Sequence, residues 1–266
     1  MSAPVAAFFD LDGTLLPLPS LEQRFFRMLR HRREIPPTNY FPWCGEVLKL
    51  LQRGIGAVVH SNKMYLRGVQ SFKESEAGKP SDSRAHASGH TGEGRPSMPP
   101  KHNPRWPVPL FFEDGVERMV WHVRQEHAIV IVSGTLEPLA NIAARSLEIE
   151  LADRGIVAEI RVRATRLQGG DGKWTGRILG EAMFGKAKAR AILKLAKEMN
   201  LDLRQSWAYG DSAQDRWMLA SVGNPAVVNA TPELARIARK RGWPVLRTTS
   251  RLQQIREPLR HAERCA

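Results

Sequence analysis

Apolar residues fall into two patterns along this chain: short unbroken runs and stripes with helical spacing. The runs Ala6-Ala7-Phe8-Phe9 and Ala128-Ile129-Val130-Ile131-Val132 read as strands buried on both faces, because such strands lose the alternation of apolar and polar positions. Shorter runs predict strands over residues 158–162, 206–209 and 226–228, with a last one at Val245-Leu246. Residues 167–178 read as a hairpin around Gly169-Gly170-Asp171-Gly172. Between them lie helical stripes. Leu21, Phe25, Phe26 and Leu29 mark a helix over 21–33, closed by Pro36 and Pro37. Val116, Met119, Val120 and Val123 mark another over 114–124. Further helices are expected over about 45–53, 57–69, 138–150, 186–199, 215–222 and 231–241, the last capped by Thr231.

Strands alternating with helices predict an α/β fold, a doubly wound parallel sheet of Rossmann-like type with right-handed crossovers. A helical cap, residues 17–70, is inserted after the first strand. The α/β core then comprises residues 1–16 and 108–250, with part of 108–125 open to assignment to the cap. Residues 71–107 differ: from Glu74 to Arg105 the chain is rich in Ser, Gly, Pro, His and charge. It cannot bury enough apolar surface to offset the entropy of ordering, so it is expected to be disordered. His86, His90 and His102 are spaced too irregularly there to favour a metal site over a polar linker. Residues 251–266 read as a basic, frayed tail.

The charge adds one question. The 266 residues carry a formal net charge of +13. Residues 1–70 hold nine basic and five acidic groups, and residues 201–266 eleven and six, so the excess gathers at the two ends. No aromatic-interleaved basic stripe accompanies it, so nucleic acid is not an expected partner. A solvated basic surface is the preferred reading; Arg24–Arg33 and Arg236–Arg264 keep peripheral contact with an anionic membrane open. No stretch approaches the roughly 20 apolar residues of a membrane span, and no secretory leader is recognised. Cys44 and Cys265 do not form a disulfide framework, which makes the cytoplasm the expected location.

Three of the strands end in polar groups. The first ends in Asp10-Leu11-Asp12-Gly13-Thr14, the second in Ser133-Gly134-Thr135, and a third in Gly210-Asp211-Ser212 with Asp215 nearby. In a doubly wound sheet these ends open into one crevice. Two close carboxylates repel unless a cation lies between them, which points to a hard metal such as Mg²⁺ and to one carboxylate as nucleophile. Lys186 and Lys188 begin a helix, where the helix dipole disfavours cations unless an anion binds beside them. Phosphoryl transfer uses all of these parts.

With these residues in place, the sequence resembles the haloacid dehalogenase superfamily. DLDGT at Asp10–Thr14 is similar to its first motif and VSGT ending at Thr135 to its second. The lysine of the helix near Gly185 is similar to its third, and GDSAQD at Gly210–Asp215 to its fourth. The closest likeness is to the phosphoserine-phosphatase-like branch, where a helical cap also lies between motifs one and two. The resemblance implies that Asp10 is the nucleophile and a Mg²⁺ ligand. Asp12 is the general acid and base, with its backbone carbonyl on the metal. Ser133 and the Gly134 amide bind phosphate. Asp211 ligates Mg²⁺, and Asp215 orients the metal's waters or completes the shell. Lys188 is the phosphate-binding lysine, with Lys186 as the alternative. Tyr65, Arg67, His60 and Lys63 of the cap are candidates for substrate contact, against ordinary cap surface or core. Trp174 is expected to serve packing.

One stretch departs from the branch. Members that hydrolyse phosphoserine hold the substrate amine with an acid early in the cap; here that place is taken by Leu16-Pro17-Leu18-Pro19-Ser20-Leu21, and Glu22 arrives later. The expected activity is a Mg²⁺-dependent phosphatase acting on a small phosphomonoester through an aspartyl phosphate, phosphoserine or a larger, more lipophilic ester. The alternatives are a phosphotransferase or lipid-phosphate enzyme at an anionic membrane, or a binding module that kept the scaffold. The sequence leaves the oligomeric state open.

Overall fold

The computed structural model describes residues 3–51, 62–71 and 109–248. Eight strands are present among them: β1 Ala6–Phe9, β2 Ala128–Leu136, β3 Ile160–Thr165, β4 Leu167–Gly170, β5 Lys173–Ile178, β6 Trp207–Gly210, β7 Asn224–Val228 and β8 Val245–Leu246. Six of them form a parallel sheet in the order β3-β2-β1-β6-β7-β8, and β4 and β5 pair as a separate antiparallel hairpin. β1 lies in the middle of the sheet, with Phe9 opposite Ile131 of β2 on one side and Tyr209 of β6 on the other.

The helices are α1 Leu21–His31, α2 Tyr40–Leu51, α3 Glu113–Arg124, α4 Glu137–Asp153, α5 Lys186–Met199, α6 Arg216–Leu219 and α7 Pro232–Arg241. The strands divide the core in two because successive side chains point to opposite faces. Ala7, Phe9, Ile129 and Ile131 pack with Val116 and Met119 of α3 and Leu139 and Leu147 of α4. Ala6, Phe8, Val130 and Val132 pack with Ile192 and Leu195 of α5, Met218 of α6 and Leu234 of α7. Helices therefore cover both faces, as the doubly wound reading requires. α1 and α2 are inserted between β1 and β2, and α1 joins the first of these clusters through Leu21, Phe25 and Leu29.

Four local expectations are corrected. α1 stops at His31, five residues before the first proline, with Arg32 as its C-cap. The helix expected over 57–69 is absent from its described part. Residues 62–69 hold only a short 3₁₀ turn at Met64–Leu66 and then pair with β5, through Gly68 N to Trp174 O (2.8 Å) and Trp174 N to Val69 O (2.9 Å). In place of a helix over 215–222, a 3₁₀ turn at Ala213–Asp215 is followed by the four-residue α6. Thr231 occupies the N-cap position of α7, but its hydroxyl makes no cap bond. The tract at 74–105 expected to be disordered, the expected basic tail, His60, His86, His90, His102 and Cys265 lie outside the described residues. No described helix is long and apolar enough to cross a membrane.

Candidate active site

The carboxyl ends of β1, β2 and β6 meet at a cavity of about 750 Å³ that the inserted helices partly roof. Its floor is made of the polar residues that follow the apolar strand runs. Asp10 directly follows β1 and is anchored by its amide to Tyr209 O (2.9 Å). The next turn is tight. Gly13 has φ +88°, and a Cβ there would lie 2.3 Å from Asp211 Oδ2, so a bare backbone is needed to bring the two loops together. Asn229, itself left-handed at φ 47°, donates its side-chain amide to Gly13 O at 3.1 Å and fixes this turn to the end of β7.

Asp10, Asp211 and Asp215 are all buried, and each offers a carboxylate oxygen within 4.8 Å of the others. Lys188 reaches into the same cluster from the first turn of α5. Its Nζ donates to Asp10 Oδ1 and to Asp215 Oδ1, both at 2.5 Å. Burial works against this ammonium, but the two carboxylates outweigh it and hold its pKa above the ordinary lysine value. Burial likewise raises Asp10 well above the usual carboxylate range, opposed by Lys188. Burial, with Asp215 next, pushes Asp211 up to about 7.

Ionised together, three carboxylates against one ammonium would leave a buried excess of negative charge, and such charge is costly unless it is paired. A divalent cation would cancel it, and oxygen-only donors are what a hard cation such as Mg²⁺ selects. The residues present therefore fit that metal, with Asp10 and Asp211 as side-chain donors. Asp215 is already heavily engaged: its Oδ1 takes Lys188, and its Oδ2 accepts from the Ser212 amide (3.0 Å) and hydroxyl (2.8 Å).

Asp12 stands apart from the trio. Its Oδ1 accepts the Leu21 amide and its Oδ2 the Thr135 hydroxyl, each at 2.7 Å. Burial raises its pKa, while these two hydrogen bonds pull the other way. Ser133 is buried on the cavity floor, and Gly134 is packed so closely that a Cβ would meet the Phe184 ring at 2.1 Å. The fully buried Thr165 holds this corner by donating to Gly134 O (2.7 Å) and accepting from the Met183 amide (3.1 Å).

The structure thus brings together Asp10, Asp12, Ser133, Gly134, Lys188, Asp211 and Asp215. Lys186 points away, is exposed and lies over the Trp217 ring at 5.1 Å. Of the cap candidates, Lys63 and Tyr65 line the cavity together with Glu22, whereas Arg67 is exposed and outside the lining. Trp174 packs edge-on against Phe25, 6.2 Å between ring centres. Phe184 and Asn229 are not marked by sequence; their parts rest on long-range contacts that no local motif carries.

A parallel α/β sheet with acids from two adjacent strands and a buried lysine at one crevice defines a class of hydrolase-like proteins built around an anion site. The model of the haloacid dehalogenase-like hydrolase family matches residues 7–220, and the chain belongs to that family. A probable phosphatase of Mycobacterium tuberculosis is 34% identical over 139 residues, 52% of this chain and 45% of that protein. A phosphoserine phosphatase of the same organism is 34% identical over 133 residues, 50% of this chain and 40% of its own length. The chain thus matches under half the length of these curated relatives. Over nearly its whole length (95%, and 76% of the relative), it is 26% identical to a putative hydrolase of Mycobacterium leprae. Among solved structures, a Bordetella pertussis protein of unknown function superposes with TM-score 0.60 at 25% identity, covering 92% of this chain and 99% of that one. An apo phosphoserine phosphatase shares the fold, with TM-score 0.55, 18% identity and coverage of 96% and 98%.

Proposed function

We propose that this protein is a Mg²⁺-dependent phosphomonoesterase working through an aspartyl phosphate on Asp10. The observation that carries the reading is the meeting of Asp10, Asp211, Asp215 and Lys188 within one buried cluster, with Asp12 and the Ser133–Gly134 corner beside it. Phosphatase-named relatives support it.

In this reading Asp10 attacks phosphorus through a carboxylate oxygen as the bond to the leaving oxygen breaks. Asp12 enters protonated, which its burial-raised pKa favours, and gives its proton to the leaving alkoxide. It then takes a proton from a water that attacks phosphorus, releasing inorganic phosphate and restoring Asp10. Proton transfer of this kind is worth ~10²–10⁴-fold. Lys188, Ser133 and the Gly134 amide hold the phosphoryl oxygens, where charge is spread in the transition state. Mg²⁺ bound by Asp10 and Asp211 would neutralise negative charge and polarise the phosphoryl group.

Asp10→Asn is the test. It should abolish turnover of an aryl phosphate such as p-nitrophenyl phosphate while circular dichroism stays native. Full activity in that variant would refute the reading. Addition of EDTA should stop the wild-type protein, and Mg²⁺ should restore it.

A further inference from the structure

We infer that Glu22, Lys63 and Tyr65 close the outer part of the cavity to charged leaving groups, so that the site takes phosphomonoesters of uncharged, apolar alcohols. This rests on the phosphomonoesterase reading and concerns the other end of the substrate.

Glu22 lies in the first turn of α1, on the cavity wall above Asp12. Its Oε1 accepts from Lys63 Nζ at 2.5 Å and from Tyr65 OH at 2.9 Å. The Lys63 side chain is 4% exposed and that of Glu22 15%, so this is a buried pair rather than a solvated one. Among the described residues lining the cavity, the cations are Lys63 and Lys188, and each is held by carboxylates. Outside the catalytic aspartates Glu22 is the one carboxylate in that lining, and its charge is met.

An ammonium on the substrate would have to compete with Lys63 for Glu22. A carboxylate would have to draw Lys63 away. Either event leaves a buried charge without its partner, which is strongly unfavourable. A zwitterion such as serine would face both costs. An apolar group faces neither. The rest of the described lining is uncharged: Ser20, Gln23 and Asn62 lie beside Phe26, Tyr40, Trp43, Val47 and Phe184, and these five supply surface that gains from covering hydrocarbon or an aromatic ring.

The test is a set of kcat/KM values with Mg²⁺ present. The substrates are butyl, hexyl and octyl phosphate below their micelle concentrations, phenyl phosphate, O-phosphoserine and phosphoethanolamine. Wild-type protein should prefer the apolar esters by at least about tenfold. Its kcat/KM should rise by about two- to fourfold per methylene until the wall is filled, as expected for buried CH₂ groups. Lys63→Met uncovers Glu22 and should shift the ratio of phosphoethanolamine to butyl phosphate toward the amine by tenfold or more; Glu22→Gln/Lys63→Met should cancel that shift. Trp43→Ala, on the partly exposed rim, should flatten the chain-length series even if Lys63 variants fail to fold. Preference of the wild type for phosphoserine, or a flat series together with an unmoved ratio, overturns the inference while leaving the phosphatase reading intact. Absence of turnover on every ester overturns both.

Discussion

Thr135 donates its hydroxyl to Asp12 Oδ2 at 2.7 Å, joining the end of β2 to the loop after β1 across 123 positions. The bond aims the carboxylate and lowers its pKa against the opposing effect of burial. Thr135→Val should therefore let Asp12 turn and should raise its pKa further. We expect kcat for an aryl phosphate to fall by about 10- to 100-fold, a fraction of what a full acid–base residue supplies. The basic form needed for water attack is then reached at higher pH, so the acidic limb of the pH–rate profile should move up. Thr135→Ser should recover most of the loss. A valine variant with an unchanged rate and profile would rule this positioning role out.

Gly13 offers a cleaner separation of strain from chemistry. Gly13→Ala adds a side chain at φ +88° and drives it into Asp211. Gly155 has φ +75° with nothing within 4 Å of an added Cβ, so Gly155→Ala carries strain alone. Gly155→Ala should lose about 1–2 kcal/mol of stability in urea titrations and Gly13→Ala at least as much. Only Gly13→Ala should raise the Mg²⁺ concentration for half-maximal activity, by tenfold or more.

Lys188→Met removes the counter-charge of Asp10 and Asp215 and leaves both buried. Breaking such a pair from one side typically costs about 3–5 kcal/mol. Melting temperature without metal should drop accordingly. Addition of Mg²⁺ should then stabilise the variant more than the wild type, because the cation takes over the lost charge. Turnover should stay at least about 10²-fold down even at saturating Mg²⁺. Equal melting shifts in the two proteins would contradict the shared electrostatic role.

His122 provides a pH readout away from the site. It is wholly buried on α3, with one ring nitrogen 2.8 Å from His127 Nδ1 and the other 2.8 Å from Tyr209 OH. Burial, then His127 and Arg118, lower its pKa from 6.5 to about 3. In the unfolded chain it protonates near 6.5, so between pH 6.5 and 3 the unfolded state binds the extra proton. Stability from this group is complete above 6.5 and is lost as pH falls through that window. Between pH 7.5 and 5.0 the wild type should lose about 2 kcal/mol more than His122→Phe. Parallel urea midpoints for the two proteins would contradict this.

Much of the architecture could be read from local signals. The apolar runs located β1 and β2, and the acids after β1 and β6 face each other because parallel strand order puts their ends side by side. Lys188, not Lys186, shares the buried side of its helix with Ile192 and Leu195. What escaped was set by distant partners. The apolar run ends at Val132, yet β2 continues through Ser133-Gly134-Thr135 to Leu136 by pairing with Thr165 across a bulge. Residues 62–69 have helical-looking spacing, but Trp174 of β5 takes their backbone bonds. Glu22 looked misplaced by sequence distance; helix α1 begins at Leu21, whose amide is tied to Asp12, and that tie swings Glu22 onto the cavity wall.

The central place of β1 also governs how the molecule is assembled. Its two neighbours, β2 and β6, arrive about 120 and 200 positions later. During synthesis the strand that precedes Asp10 keeps an open edge until residue 210 has emerged, and the turn after it is pinned only when Asn229 follows. A chain that ends before Asp215 lacks part of the acidic cluster, so the candidate site is completed in one late step rather than by degrees.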